Sequence, residues 1–162
     1  MPRQYRRPAP AFQLYDQGSE DVKPRVVNLQ SYLHRHTIVL VFYDGLRGPE
    51  ADPLLVQLRD AHDEIRQRNI MVFGVSTALP QENRQNSAQP FPFKLLSDVT
   101  ATSRDSVHRV WDRFIPPPSL DKPAGTDPAV FIIDRAGLVP WGTSHPLPDD
   151  SPETVLERLL EL

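Results

Sequence analysis

The residues best placed for chemistry lie between positions 38 and 52, where the chain reads Ile-Val-Leu-Val-Phe-Tyr-Asp-Gly-Leu-Arg-Gly-Pro-Glu-Ala-Asp. An apolar run ends in Phe42-Tyr43, passes through a short Gly/Pro loop and opens a helix. A junction of this kind presents a helix N-terminus, whose partial positive charge stabilises an anion such as a reactive thiolate. The loop carries Asp44, Arg47, Glu50 and Asp52 but no sulfur, and none of the 162 residues is cysteine. Glu50 and Asp52 favour a helix start electrostatically and would repel an anionic ligand. Arg47 is the cation that could offset them.

The other candidates are weaker. His34 and His36 flank Arg35, but two histidines two apart, with no third ligand at suitable spacing, make a poor metal site. A surface loop before a buried strand accounts for them, so neither metal nor cofactor is expected. His62 falls on the apolar side of a helix, as a hydrogen-bonded residue at the core edge, and His108 is expected in solvent. No Ser/His/Asp set has motif context, and no phosphate loop emerges from seven glycines. Asp149-Asp150 ahead of Ser151-Pro152 read as a charged loop at a helix start. Trp111, Phe114 and Trp141 read as core or dimer-face residues.

Positioning the 44–52 loop requires a strand before it and a helix after it. Residues 38–43 form a continuous apolar run, as expected of a central strand buried on both faces. Asp52 then supplies an N-cap and Pro53 the first helical position. Leu54, Leu55, Leu58, Ala61, His62 and Ile65 follow at helical spacing, predicting one helix to about Arg68. Residues 70–76 make a second core strand, and a short helix is expected around 81–88. Val107, Val110, Trp111 and Phe114 predict an amphipathic helix over 102–114, ended by Pro116-Pro117-Pro118. Residues 130–134 and 138–143 read as a hairpin about Arg135-Ala136-Gly137. The last helix starts at Ser151-Pro152 and carries Val155, Leu156, Leu159 and Leu160.

The length fits one domain that buries roughly two-thirds of its unfolded surface. A net charge of −3 argues against a general nucleic-acid or anionic-membrane surface. No window approaches the ~18 apolar residues of a membrane span, and no apolar segment of a secretion signal follows the basic start. A cytoplasmic location is therefore the expectation. The absence of cysteine excludes disulfides and any thiolate zinc site. Proline is the outlier: eighteen residues, about twice the usual ~5%. They cluster in loops, which they stiffen by restricting the unfolded chain. Residues 1–8 hold Arg3, Arg6 and Arg7 without an acid and read as a basic arm ahead of a single domain over 9–162.

Five segments in order resemble the peroxiredoxin family of alkyl hydroperoxide reductases and thiol-specific antioxidants, and together they cover most of the chain. Residues 9–16, Ala-Pro-Ala-Phe-Gln-Leu-Tyr-Asp, resemble the family's opening strand. Val27-Asn28-Leu29 with Tyr32 is similar to the segment leading into its first core strand. Phe73-Gly74-Val75-Ser76, Pro92-Phe93-Lys94-Leu95-Leu96-Ser97-Asp98 and Ala129-Val130-Phe131-Ile132-Ile133-Asp134 resemble three further family elements. The resemblance implies an α/β, thioredoxin-like sandwich of peroxiredoxin type, a mixed central sheet flanked by helices, in the order β-β-α-β-α-β-β-α.

The departures fall on the chemistry. Where the family places a Pro, a Thr and its peroxide-reducing Cys after Phe-Tyr, this chain has Asp44, Gly48 and Ala51. Against a related subgroup motif, Phe-Tyr-x-Gly-x-x-Cys-Pro-x-Cys, Gly45 and Pro49 match while Gly48 and Ala51 replace both cysteines. The family's Arg falls on Pro128, where thioredoxin-like proteins often hold a cis proline, so a cis Asp127–Pro128 bond is expected. Because the thiolate is itself the nucleophile, ordinary thiol peroxidase catalysis is excluded and no catalytic residue is assigned.

The expected function is that of a catalytically silent domain acting through protein partners, as a scaffold or accessory subunit. Arg3, Tyr5, Arg6, Arg7 and Pro116-Pro117-Pro118 are the candidate contacts. Peroxiredoxins associate by sheet edges or through the face around the active loop, so the resemblance allows a homodimer. Two alternatives stay open: a small-molecule or regulatory module using a vacated pocket lined by Phe42, Tyr43, Pro49, Ala51 and Pro128, or an oxidoreductase completed by a partner's thiol.

Overall fold

The structure is a computed structural model that describes residues 7–18, 21–45, 47–85, 91–98, 129–139 and 141–144. The expected helices at 102–114 and from Ser151, the triple proline, the 127–128 bond, and Arg3, Tyr5 and Arg6 lie outside the described residues.

In chain order the strands are β1 (Arg7–Pro8), β2 (Gln13–Tyr15), β3 (Val26–Asn28), β4 (Thr37–Phe42) and β5 (Ile70–Ser76). They continue with β6 (Lys94–Ser97), β7 (Ala129–Ile133), β8 (Leu138–Val139) and β9 (Trp141–Ser144). Seven of them form one mixed sheet in the order β3-β2-β6-β5-β4-β7-β9. β4, β5 and β6 run parallel, with Val39 opposite Val72 and Gly74 opposite Leu95, while β7 pairs antiparallel with β4. The helices are α1 (Pro53–Asp60), α2 (His62–Gln67) and α3 (Pro80–Gln85). Among the described residues, no helix is long and apolar enough to cross a membrane.

Alternation along β4 splits the core in two. Val39, Val41 and Tyr43 pack with Leu54, Leu55, Leu58 and Ile65 of α1 and α2. Ile38, Leu40 and Phe42 pack on the opposite face with Phe12, Val27, Leu29 and Phe131. Both faces of β4 are therefore covered, which explains its unbroken apolar sequence. Each of these fully buried aliphatic side chains contributes about 1.5–3 kcal/mol relative to exposure.

Two expectations are corrected. The single helix to Arg68 is two: Ala61 sits at φ −97° and ψ 13° between α1 and α2, a break that the local sequence does not explain. Ile65 N–H still donates to the Ala61 carbonyl at 3.1 Å, so the apolar stripe continues across it. The 138–143 half of the hairpin is also divided. β9 pairs with β7, whereas β8 leaves the main sheet and pairs with β1, Arg7 opposite Val139 and Pro8 opposite Leu138. β1, from the other end of the chain, supplies the partner that takes β8 away from the main sheet. The last two residues of the basic segment 1–8 thus belong to a strand.

Candidate functional site

The turn after β4 is built by local chemistry. Gly48 has φ 84°, a left-handed backbone that suits glycine. Its N–H donates to the Asp44 carbonyl at 3.0 Å, closing the loop before the short 3-10 helix Pro49–Ala51. Asp52 then caps α1 as expected, its Oδ1 accepting from Leu55 N–H at 3.1 Å with Pro53 in the first turn. Gly48 and Pro49 are buried, and Ala51 is exposed at the helix entrance.

The charges arrange themselves differently from the sequence expectation. Arg47 is 80% exposed and its Nε lies 3.9 Å from Asp44, an exposed pair of little energetic weight. The cation that braces the loop is Arg59, one helix length away. Its Nη1 donates to Glu50 Oε1 at 2.6 Å, and its guanidinium lies 4.6 Å from the centroid of the Phe91 ring. No periodic spacing in the sequence joins Glu50, Arg59 and Phe91, so only the folded chain reveals them. Glu50 and Asp52 still flank Ala51 in the chain, but Glu50 is held by Arg59 and Asp52 by the Leu55 amide.

Behind the loop lies a polar group that sequence reasoning missed. The Tyr43 hydroxyl donates to Asn83 Oδ1 at 2.5 Å, and Asn83 Nδ2 donates to Ser97 Oγ at 3.3 Å. Asn83 is 1% exposed, so these bonds satisfy groups that water does not reach. Burial pushes the Tyr43 phenol well above its ordinary range, and the nearby Asp52 carboxylate adds to this, so the phenol remains a donor. A side chain at Gly74 would meet the Tyr43 ring at 3.0 Å and Leu95 at 2.9 Å, which is why a glycine interrupts this otherwise bulky strand. Gly74 was the one available signal that a large ring packs beside β5.

Of the pocket lining expected from sequence, Phe42 and Tyr43 are parted by the sheet. Phe42 and Tyr43 are neighbours in the chain and so point to opposite faces of the sheet, each into its own core. They do not line one cavity. Pro128, the remaining member of the degenerate site, lies outside the described residues.

The two histidines diverge as well. His34 Nδ1 lies 3.1 Å from the Arg135 carbonyl, beyond β7, and His36 Nδ1 lies 2.6 Å from Asn69 Oδ1, before β5. Asn69 Nδ2 donates to the Arg35 carbonyl, so its Oδ1 accepts and His36 carries its proton on Nδ1. The carbonyl of Arg135 fixes the same tautomer for His34. Each ring tethers the segment entering β4 to a different neighbouring strand. Among the described residues, no three histidine, aspartate or glutamate side chains are grouped to hold a metal ion.

This architecture has many solved counterparts. The chain is similar to the reduced 2-Cys peroxiredoxin of Plasmodium vivax, at 19% identity and a TM-score of 0.73, with 98% of this chain and 96% of that one covered. It is similar to the peroxidoxin BcpB of Mycobacterium tuberculosis, at 21% identity and a TM-score of 0.66, covering 98% and 94%. AhpC of Enterococcus faecalis superimposes with a TM-score of 0.71 at 15% identity, covering 98% and 92%. At these identities the likeness establishes the fold alone. No curated protein matches the chain significantly. The profile of the AhpC/TSA family matches residues 5–141, from ahead of β1 through the first residue of β9. With that match over most of its length, and with no cysteine among its 162 residues, the chain belongs to the AhpC/TSA family as a member without cysteine.

Proposed function

We propose that this is a catalytically silent peroxiredoxin-like domain that works through protein contacts, as a scaffold or accessory subunit. One observation carries the reading. The turn that would hold the nucleophile is complete, from the Gly48 backbone to the Asp52 cap and the Glu50–Arg59 pair, yet it presents only the methyl group of Ala51. Thiol peroxidase chemistry needs a thiolate to attack the peroxide oxygen, and none of the 162 residues provides one.

In this reading residues 9–162 act as one domain in the cytoplasm. Arg3, Tyr5, Arg6, Arg7 and Pro116-Pro117-Pro118 are the contacts, and self-association is compatible with them. The test has two arms. Purified protein with hydrogen peroxide and a thiol reductant is expected to consume peroxide no faster than buffer; turnover would overthrow the reading. Removing residues 1–6, which spares the β1–β8 ladder, is expected to strip co-purifying proteins from the tagged native protein. An unchanged partner profile refutes the role of the arm.

A further inference from the structure

Among the described residues, the buried polar and charged ones are Asp16, Asp52, Ser76, Asn83, Ser97 and Asp98. All but Asp16 lie at the carboxyl ends of the parallel strands β4, β5 and β6 or on the helices that follow them. In open α/β sheets that end of the strands forms the crevice that receives ligands. Here the chain fills it from within. The Asn83 carboxamide accepts from the Tyr43 hydroxyl and donates to Ser97 Oγ, and the Ser76 side chain bonds the same Tyr43 oxygen.

The element that carries Asn83 is weakly seated. α3 reads Pro-Gln-Glu-Asn-Arg-Gln, and six residues are too few to hold a helix without tertiary support. A surface helix is ordinarily fixed by an apolar stripe. The only apolar residue of α3 is Pro80, which is partly exposed; Gln81 and Glu82 are exposed and Asn83 is buried. A polar side chain therefore takes the place of the apolar anchor. Ahead of the helix, Ala78 is packed so closely that a Cβ on Gly45 would come within 2.8 Å of its nitrogen. Leu79, the next residue, is 43% exposed. The chain is thus fixed at Ala78 and loose at Leu79, where a hinge can act. An element with so little buried apolar surface belongs to the low end of local stability.

We infer that α3 is a latch over a binding site for neutral small molecules bearing a primary carboxamide, a site that the Asn83 side chain occupies while the latch is closed. With α3 turned away about Leu79, the Tyr43 hydroxyl offers a donor and Ser97 Oγ an acceptor. These match the C=O and N–H of a carboxamide, as they match those of Asn83. The charge of Asp52 acts on the Tyr43 oxygen and disfavours a carboxylate in the same place. The inference goes beyond the proposed function and rests on no part of it, since it uses neither the arm nor the proline-rich loop.

Native-state hydrogen exchange on the full chain reads the latch. The Asn83 N–H, which donates to the Leu79 carbonyl at 3.1 Å, is expected to exchange at least about a hundredfold faster than that of Leu40 after correction for intrinsic rates. Equal protection of the two means that α3 opens only with the whole domain, and it overturns the inference. The site is read with Asn83→Ala, which removes the tethered carboxamide, and with acetamide as the probe. Acetamide is expected to raise the urea midpoint of this variant to a saturating extent and not that of the native chain, whose site is filled. Sodium acetate at the same concentration is expected to leave the variant unchanged. An equal response of variant and native chain, or of the variant to acetamide and acetate, overturns the inference. Should Asn83→Ala fail to fold, Asn83→Ser takes its place with the same expectations. Neither measurement bears on peroxide consumption or on the arm deletion, so the two readings fail separately.

Discussion

The turn after β4 and the β2–β3 hairpin use similar residues in opposite ways. At the turn, polar groups face inward and are satisfied there: the Tyr43 hydroxyl on Asn83, the Asp52 carboxylate on an amide, Glu50 on Arg59. At the hairpin, the aromatic and aliphatic side chains of Tyr15 and Val26 face solvent while Asp16 is buried beneath them. The turn, which carries no thiol, has its polar groups bonded internally, because unpairing a buried polar group costs more than losing an exposed contact. A region that exposes apolar surface owes the fold less. Stability should therefore respond strongly to the turn and weakly to the hairpin's outer face.

The largest effect is expected from Asn83→Ala, which leaves the buried Tyr43 hydroxyl only the Ser76 side chain as a partner and should cost about 1–3 kcal/mol in urea unfolding. Adding Tyr43→Phe should recover part of that loss, because the two residues are coupled. A cost below about 0.5 kcal/mol would show that the pair does not brace the turn. Next comes Asp52→Ala, expected to cost about 1 kcal/mol through the lost helix cap, read as a lower denaturation midpoint.

Asp16→Asn sharpens the comparison from the hairpin side. Burial alone would raise the Asp16 carboxyl. The amides of Arg25 and Gly18 and the Lys94 ammonium outweigh it and hold the group below its ordinary 3.8. A carboxyl depressed in the folded state contributes stability that is fully present above the unfolded value and is lost as the pH falls through the folded one. Asp16→Asn should therefore cost about 0.5–1 kcal/mol at neutral pH, discounted because Lys94 is partly exposed. The gap from the native protein should close in acid below the ordinary carboxylate range. A gap independent of pH would refute the role of its charge. The smallest effect is expected from Tyr15→Ser, within about 0.5 kcal/mol in thermal or urea unfolding. A larger loss would place Tyr15 in the core and dissolve the contrast between the two regions.

Much of the fold was legible in particular residues. The unbroken apolar run of β4 announced a strand covered on both faces, and Asp52-Pro53 announced its helix start to the residue. The boundaries of β5 followed from Ile70 through Ser76 as read. The candidate site was less legible. Arg47, the nearest cation in sequence, turns to solvent, and Arg59 takes the role expected of it. Phe42 and Tyr43, read together as a pocket wall, separate to the two faces of a strand. The divided hairpin depended on β1 offering β8 a partner from the other end of the chain.

Composition alone determined that these 162 residues contain no thiol nucleophile, since a missing element needs no geometry to be known. Local patterns fixed strands and caps, because these depend on residues a few positions apart. The pairing of Glu50 with Arg59, the burial of Asn83 against Tyr43 and the exposure of the Tyr15–Val26 pair were decided by tertiary structure. Each depends on which distant segment covers which face, and that is settled only when the sheet closes its order.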